Sequence, residues 1–370
     1  MKAVDRQMIA GVQDGVFPGG VLLVSKGRKV LFHRAYGVTN IFTGEAMKTD
    51  TVFDLASLTK PLATAVALMK LMARGALALD APLATVLPEF ANTEKRAITI
   101  AQLLAHHSGY PAYRPFYRTL RRHPAVTRPF FLRRMLVAQP LADMPGRRTI
   151  YSDLGYMILE WVVERVSGNP LDVFLDEAVY APLSIDRLFF PSRAGSCGDA
   201  SMAATEFCPW RNVLLSGRVH DDNADVVGGI AGHAGLFGTA RGVHQLLHHV
   251  LSAFHGGGSS TVLRPDLVRR FCSPWGPAGR TPGFDRPEGA GSSAGRYFSE
   301  NTVGHLGFTG TSFWMDLDRR VIVILLTNRV HPSRCNLTIR AFRPLLHDTV
   351  MEMVLQGESA GEKDAPKIDL

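Results

Sequence analysis

The 370-residue sequence holds only four cysteines, Cys197, Cys208, Cys272 and Cys335, far apart and never in C-x-x-C spacing. That argues against a zinc site or a disulfide framework, and free thiols in a reducing compartment are the expectation. No window reaches ~18 uninterrupted apolar residues, so no membrane-spanning helix is expected. The opening MKAVDRQMIAGVQDGVFPGG has no apolar stretch and carries Asp5, Arg6 and Asp14, so it does not read as a secretory signal. A cytoplasmic location is expected, or a periplasmic or secreted one if a leader has been removed. The net charge of +8, from 41 basic and 33 acidic residues, is spread along the chain with short runs such as Arg121-Arg122 and Arg133-Arg134. No recognised nucleic-acid module accompanies it, so no nucleic-acid partner is expected. There is no internal repeat, and no metal or organic cofactor is implied.

What is present is a globular composition, 46% hydrophobic and 20% charged. Residues 1–16 suit a short amphipathic helix. The stretch GGVLLVSKGRKVLFHRAYGV (19–38) reads as a hairpin turning at Lys26-Gly27-Arg28. Residues 57–74 have helical spacing and stop near Gly75. From 80 to about 250 the pattern is mostly helical pieces with Pro and Gly punctuation, the clearest at 154–166. Residues 276–296 read as a loop. TSFWMDLDRRVIVILLTNR (311–329) reads as two strands with a turn at Asp316–Arg319, and Val321–Leu326, apolar on both faces, as a central strand. A helix over 334–356 and a polar, disordered tail over 357–370 complete the chain. Strands at both ends and helices between predict one sheet built from both termini with a helical insertion.

Within the helical stretch, Ser57 and Lys60 stand three residues apart and so share a helix face. A serine hydroxyl needs a base before it becomes a nucleophile. A lysine amine ordinarily titrates near 10.4, and the apolar neighbours Leu55, Leu58, Leu62 and Val66 would lower that value towards general-base work. Alone, S-x-x-K is common, and a solvated surface lysine is the bland alternative.

Further blocks change the weighing. PGRRTIYSDLGYMILEWV (145–162) places Tyr151-Ser152-Asp153 before a helix, and VGHLGFTGTSFWMD (303–316) places His305-Leu306-Gly307 at the head of a strand pair. In this order and wide spacing the chain resembles the serine β-lactamase and penicillin-binding-protein-like family, in its class C, D-alanyl-D-alanine carboxypeptidase and esterase branch. LLAHHSGYP (103–111), AATEFCPW (203–210), VHDDNADVVGGIAGHAGLFGTA (219–240) and LLTNRVHP (325–332) look like the same branch, over about residues 15–345. The resemblance implies an α+β fold, an antiparallel sheet flanked by helices plus a mainly helical lobe. It implies a single domain over 1–356, with the sheet region from about 1–75 and 265–356 and the lobe from about 76–264. It implies acylation of Ser57, proton traffic through Lys60 and Tyr151, and a substrate wall of Asp153, His305, Gly307, Phe308 and Thr309. The oxyanion donors would be the Ser57 amide and one near Phe308 or Thr309.

Two departures bear on substrate. His305 stands where β-lactamases carry Lys, and no lysine occurs anywhere between Lys95 and Lys363. Asp153 stands where the usual pattern has Asn. Both lower the positive potential, so a small ester, amide or peptide is expected ahead of a β-lactam, with His305 offering at most a partial, pH-dependent charge. The alternative is a non-catalytic protein that captures a ligand on the same fold. Rival motifs are weaker. Ser293 in GSSAG (291–295) lies in a loop without a flanking strand and helix. His244 and His248 at i, i+4 lack an acidic third ligand. His106, His107 and His233 read as loop-bracing, while Glu206, His220 and Asp221 could brace loops or line a substrate wall.

Overall fold

The computed structural model describes residues 1–191, 200–257, 261–276, 279–289 and 291–363. Strands from opposite ends of the chain make one antiparallel sheet: β1 (Gly19–Lys26), β2 (Lys29–Asn40), β3 (Glu45–Ala46), β4 (Thr302–Leu306), β5 (Ser312–Asp316) and β6 (Val321–Thr327). The order is β3-β2-β1-β6-β5-β4. The first hairpin therefore docks onto β6, with Gly20 opposite Thr327 and Lys26 opposite Val321. Successive side chains alternate faces. Val21, Leu23, Ile322, Ile324 and Leu326 join one core, and Leu22, Val24, Val321, Val323 and Leu325 join another. Both faces of β6 are buried, as its continuous apolar run requires, and each such side chain is worth roughly 1.5–3 kcal/mol.

The helices that matter here are α1 (Lys2–Gln13), α2 (Val66–Ala73), α3 (Asp153–Ser167), α4 (Ala240–Phe254) and α5 (Ile339–Lys363). Helices α1 and α5 cover one face of the sheet. Helix α4, which the sequence places in the helical lobe, packs instead on β1 and β6. Its apolar stripe of Val243, Leu246, Leu247, Val250 and Leu251 is buried.

Three boundaries differ from expectation. The helix over 57–74 is not uniform: a 3₁₀ turn (Ala56–Leu58) and a wide π turn (Lys60–Ala65) precede α2. Pro61 sits where a helix start leaves donors unpaired, so its missing N–H costs nothing. The last helix begins at Ile339 rather than 334, because Asn336 turns the chain and accepts the Thr338 N–H. It runs to Lys363, so residues 357–363, expected to be a disordered tail, are helical; propagating an existing helix needs no burial. Residues 364–370 and Cys197 lie outside the described residues. Among those described, Cys208 and Cys272 are buried free thiols and Cys335 is an exposed one. No helix among them is long and apolar enough to cross a membrane.

Candidate active site

The segment before Ser57 is pinned on both sides. Phe53–Asp54 pairs with Phe237–Gly238 in a small second sheet. Ala56 then adopts φ 48°, a left-handed conformation uncommon for an alanine. Its amide is held by the Asp54 carboxylate at 2.8 Å, and the other Asp54 oxygen accepts the His220 N–H at 2.7 Å. Asp54 is buried, which pushes its carboxyl above the usual range, and the two amides work against that rise. This turn leaves Ser57 lining a cleft of about 390 Å³.

Lys60 is entirely buried, and its ammonium makes three hydrogen bonds: to Ser57 Oγ at 3.1 Å, to Asp153 Oδ1 at 2.7 Å and to the His233 carbonyl at 3.1 Å. Burial alone would lower its pKa. The Asp153 carboxylate overrides it, helped by Tyr151, and Lys60 is pushed up to about 12. The sequence expectation of a lowered lysine is thus reversed: Lys60 is a persistent cation. Asp153 is placed by α3, whose N-cap Ser152 accepts the Gly155 N–H, and an acidic first-turn residue also suits the helix dipole. The Tyr151 ring lies 4.9 Å from Lys60 Nζ, between His106 at 4.5 Å and His305 at 5.9 Å by ring centroids. His106 Nδ1 accepts the Ser152 N–H at 3.0 Å, and His107 pairs with Thr149, so both brace the Tyr151 loop.

Opposite Ser57 runs the β4–β5 turn. Gly307 is obligatory there, because a Cβ would strike the Thr311 hydroxyl and the Leu55 carbonyl. Its carbonyl accepts the Gly310 N–H at 3.1 Å. A trans peptide sets N–H and C=O antiparallel, so the Phe308 N–H points away from the turn. Phe308 lines the cleft, whereas the Thr309 hydroxyl reaches back to the Asp54 carbonyl at 2.7 Å.

The remaining wall is polar. His220 Nε2 lies 3.1 Å from Glu206, which also takes both a bidentate contact and a backbone N–H from Arg334. Burial would raise Glu206; His220 and Arg334 hold it down at about 2. His233 Nε2 is 2.9 Å from Asp221, which stays low despite its burial because of that ring and the Ala224 amide. Among the described residues no group of three or more His, Cys, Asp or Glu could hold a metal ion.

A nucleophile-type turn facing a buried lysine, with a tyrosine and a strand turn closing the cleft, is matched at family level. The family model described as Beta-lactamase matches residues 4–344. The chain belongs to the β-lactamase family. A protein of Escherichia coli (strain K12), provisionally named a D-alanyl-D-alanine carboxypeptidase, is 30% identical, the match covering 90% of this chain and 82% of the relative. The Bacillus subtilis (strain 168) protein named N-acetylmuramyl-L-alanine amidase is 31% identical, over 90% and 81%. Among solved structures, EstCE1, described as a hydrolase with promiscuous acyltransferase activity, superposes with a TM-score of 0.71 at 22% identity, covering 93% of this chain and 98% of that one. Family and relatives make this β-lactamase-family chain a serine hydrolase.

Of the residues singled out in the sequence, the fold brings Ser57, Lys60, Tyr151 and Asp153 together, and Phe308 onto the opposite wall. His305, Gly307 and Thr309 sit behind that wall instead. His305 is buried, its Nδ1 against the Leu306 carbonyl at 2.9 Å. Burial, then the Lys60 charge, pull it down to about 3, so it carries no pH-dependent charge near neutrality. Asp153 opposes no substrate charge of its own, since it is paired with Lys60. His220 and Asp221 line the cleft, while Glu206 braces from behind. Ser293 lies in irregular chain, where its carbonyl meets His347; His244 contacts the Ser25 hydroxyl. Sequence reasoning missed Asp54 and three residues that line the cleft, Tyr113, Asp222 and Arg334. Only Asp54 had a local signal, an aspartate two residues before a backbone N–H it can cap.

Proposed function

We propose that the chain cleaves esters, amides or peptides through an acyl-enzyme on Ser57, with Tyr151 as proton acceptor. One observation carries this reading: the Ser57 hydroxyl lies 3.1 Å from a wholly buried lysine whose charge is fixed by Asp153. A lysine kept protonated does not take the serine proton. It fixes the hydroxyl and offers a positive neighbour to the Tyr151 ring. Ser57 Oγ attacks the substrate carbonyl while Tyr151, acting as its phenolate beside the Lys60 ammonium, takes the hydroxyl proton. The resulting oxyanion is held by the Ser57 and Phe308 amides. Collapse expels the alcohol or amine, which leaves with the proton from Tyr151. Water then repeats the sequence and releases the acid.

The substrate class follows from charge. Lys60 is neutralised by Asp153, His305 is uncharged, and Arg334 is engaged by Glu206. A carboxylate-bearing β-lactam finds no free cation among these groups, so short neutral esters should lead. The test is kcat/KM for p-nitrophenyl butyrate, nitrocefin and D-Ala-D-Ala peptides side by side. Ester turnover well above nitrocefin turnover is expected, and nitrocefin hydrolysis at the efficiency of a dedicated β-lactamase contradicts it.

A further inference from the structure

Two arginines lie beneath the β4–β5 turn, and neither has a carboxylate partner among the described residues. Arg329, just past β6, is buried. It donates to the carbonyls of Arg334 at 3.2 Å, Asn336 at 2.7 Å and Phe308. Its guanidinium also lies over the Phe308 ring at 4.6 Å, a ring that also stacks on His220. Arg343, on α5, is buried too. It donates to the Thr311 carbonyl at 2.8 Å, and its Nε has no partner. Glu206, whose charge reaches Arg329, is already held by Arg334.

Buried cations without counter-ions are costly, and a fold keeps them only where something compensates. Burial first, then Arg340, lower Arg329. Burial and Arg329 pull Arg343 down to about 9, still above neutrality. A guanidinium keeps its charge inside proteins, so both are cations. The turn is thus gripped from two sides. Its hydroxyls, on Thr309 and Thr311, bond the Asp54 and Leu55 carbonyls leading into Ser57. Its carbonyls, at Phe308 and Thr311, are drawn towards the arginines. The Gly307 carbonyl is taken within the turn, which leaves the Phe308 N–H facing the other way.

We propose that Arg329 is the positioning residue for the Phe308 amide, and that Arg329 and Arg343 together supply the positive potential that steadies an oxyanion formed on Ser57. This rests on the acyl-enzyme reading above. It explains how a cleft whose strand-side residue is an uncharged histidine could still favour developing negative charge. The arginines act from behind the turn and touch no substrate.

The test uses the full chain with Arg329→Gln, Arg329→Lys and Arg343→Met, measured with p-nitrophenyl butyrate and with phenylboronic acid, whose serine adduct is tetrahedral and anionic. Arg329→Gln should lower kcat by about 10- to 100-fold while KM stays within about twofold, and boronate affinity should fall in parallel. Arg329→Lys, which returns the charge without the fork, should recover part of the loss. Arg343→Met guards against misfolding, since replacing a buried unpaired charge by an apolar chain of similar reach should leave thermal stability equal or higher. It should nonetheless be several-fold slower. Wild-type kcat and boronate affinity in both Arg329→Gln and Arg343→Met, or losses confined to KM, would overturn the proposal. Fluorophosphonate labelling of the wild type separates the two levels. An unlabelled wild type sinks the acyl-enzyme reading itself; a labelled wild type with full-rate variants sinks only the arginine inference.

Discussion

Lys60 Nζ lies 2.7 Å from Asp153 Oδ1, with the lysine side chain 0% exposed and the aspartate 20%. Removing the carboxylate strands a buried ammonium. Asp153→Asn is expected to destabilise the fold by up to about 3–5 kcal/mol, the range for breaking a buried pair. The sign follows from a raised base: the stabilisation is fully present below the ordinary lysine value near 10.5 and is lost as pH rises towards 12. Urea unfolding of wild type and variant should therefore show a constant gap from about pH 6 to 10 and a narrowing gap above it. A gap that does not change through pH 12 contradicts the pairing.

Lys60→Ala and Tyr151→Phe are each expected to lower kcat on p-nitrophenyl butyrate by ~10²–10⁴, because serine activation needs both the acceptor and the charge that supports it. Circular dichroism must show both variants folded. A Tyr151→Phe enzyme running near the wild-type rate would move the proton acceptor to another group.

His305 is expected to stay neutral through the range usually assigned to histidine. Burial, then Lys60, hold it at about 3, so KM for nitrocefin should not drop between pH 7 and pH 5. A titration near 6.5 in that profile, or in the His305 ring NMR shifts, would show the ring to be wet. His305→Lys puts a second ammonium near Lys60 inside the fold, so lower thermal stability is expected with little change in the ester-to-nitrocefin ratio.

Arg334→Gln should lower stability at neutral pH, with the difference from the wild type fading in acid. Glu206 is held at about 2, against the pull of its burial, by His220 and Arg334. A depressed acid stabilises above its unfolded value near 4.5 and loses that contribution as pH falls towards 2. The variant should be less stable by about 1–2 kcal/mol at pH 7, after allowing for the partly exposed guanidinium. The difference should close below about pH 3. Parallel stability curves for wild type and variant over this whole range would contradict it.

What could be read from the sequence was what depends on near neighbours. The first hairpin and β6 followed from alternation and from an apolar run on both faces, and Ser57 met Lys60 because three residues make nearly one turn. The charge state of Lys60 was misjudged for the same reason. Its apolar neighbours are local, but the carboxylate that decides its protonation is 93 positions away. Arg334 and Glu206, 128 positions apart, left no local trace. His305 was legible as a motif and not as an environment, since it packs against Tyr151 and its neutrality depends on burial and on the Lys60 charge. For helix α4 the amphipathic pattern marks a buried face without naming what covers it, so the contact with β1 and β6 leaves no sign in the sequence.

The most direct measurement is the intact mass of the full chain after reaction with a fluorophosphonate, followed by peptide mapping, for wild type and Ser57→Ala. One adduct per chain on the Ser57 peptide is expected, absent from a folded Ser57→Ala protein. An unmodified wild type, as a non-catalytic ligand-capture protein would give, or an adduct that maps to Ser293 and persists in Ser57→Ala, would contradict the acyl-enzyme mechanism.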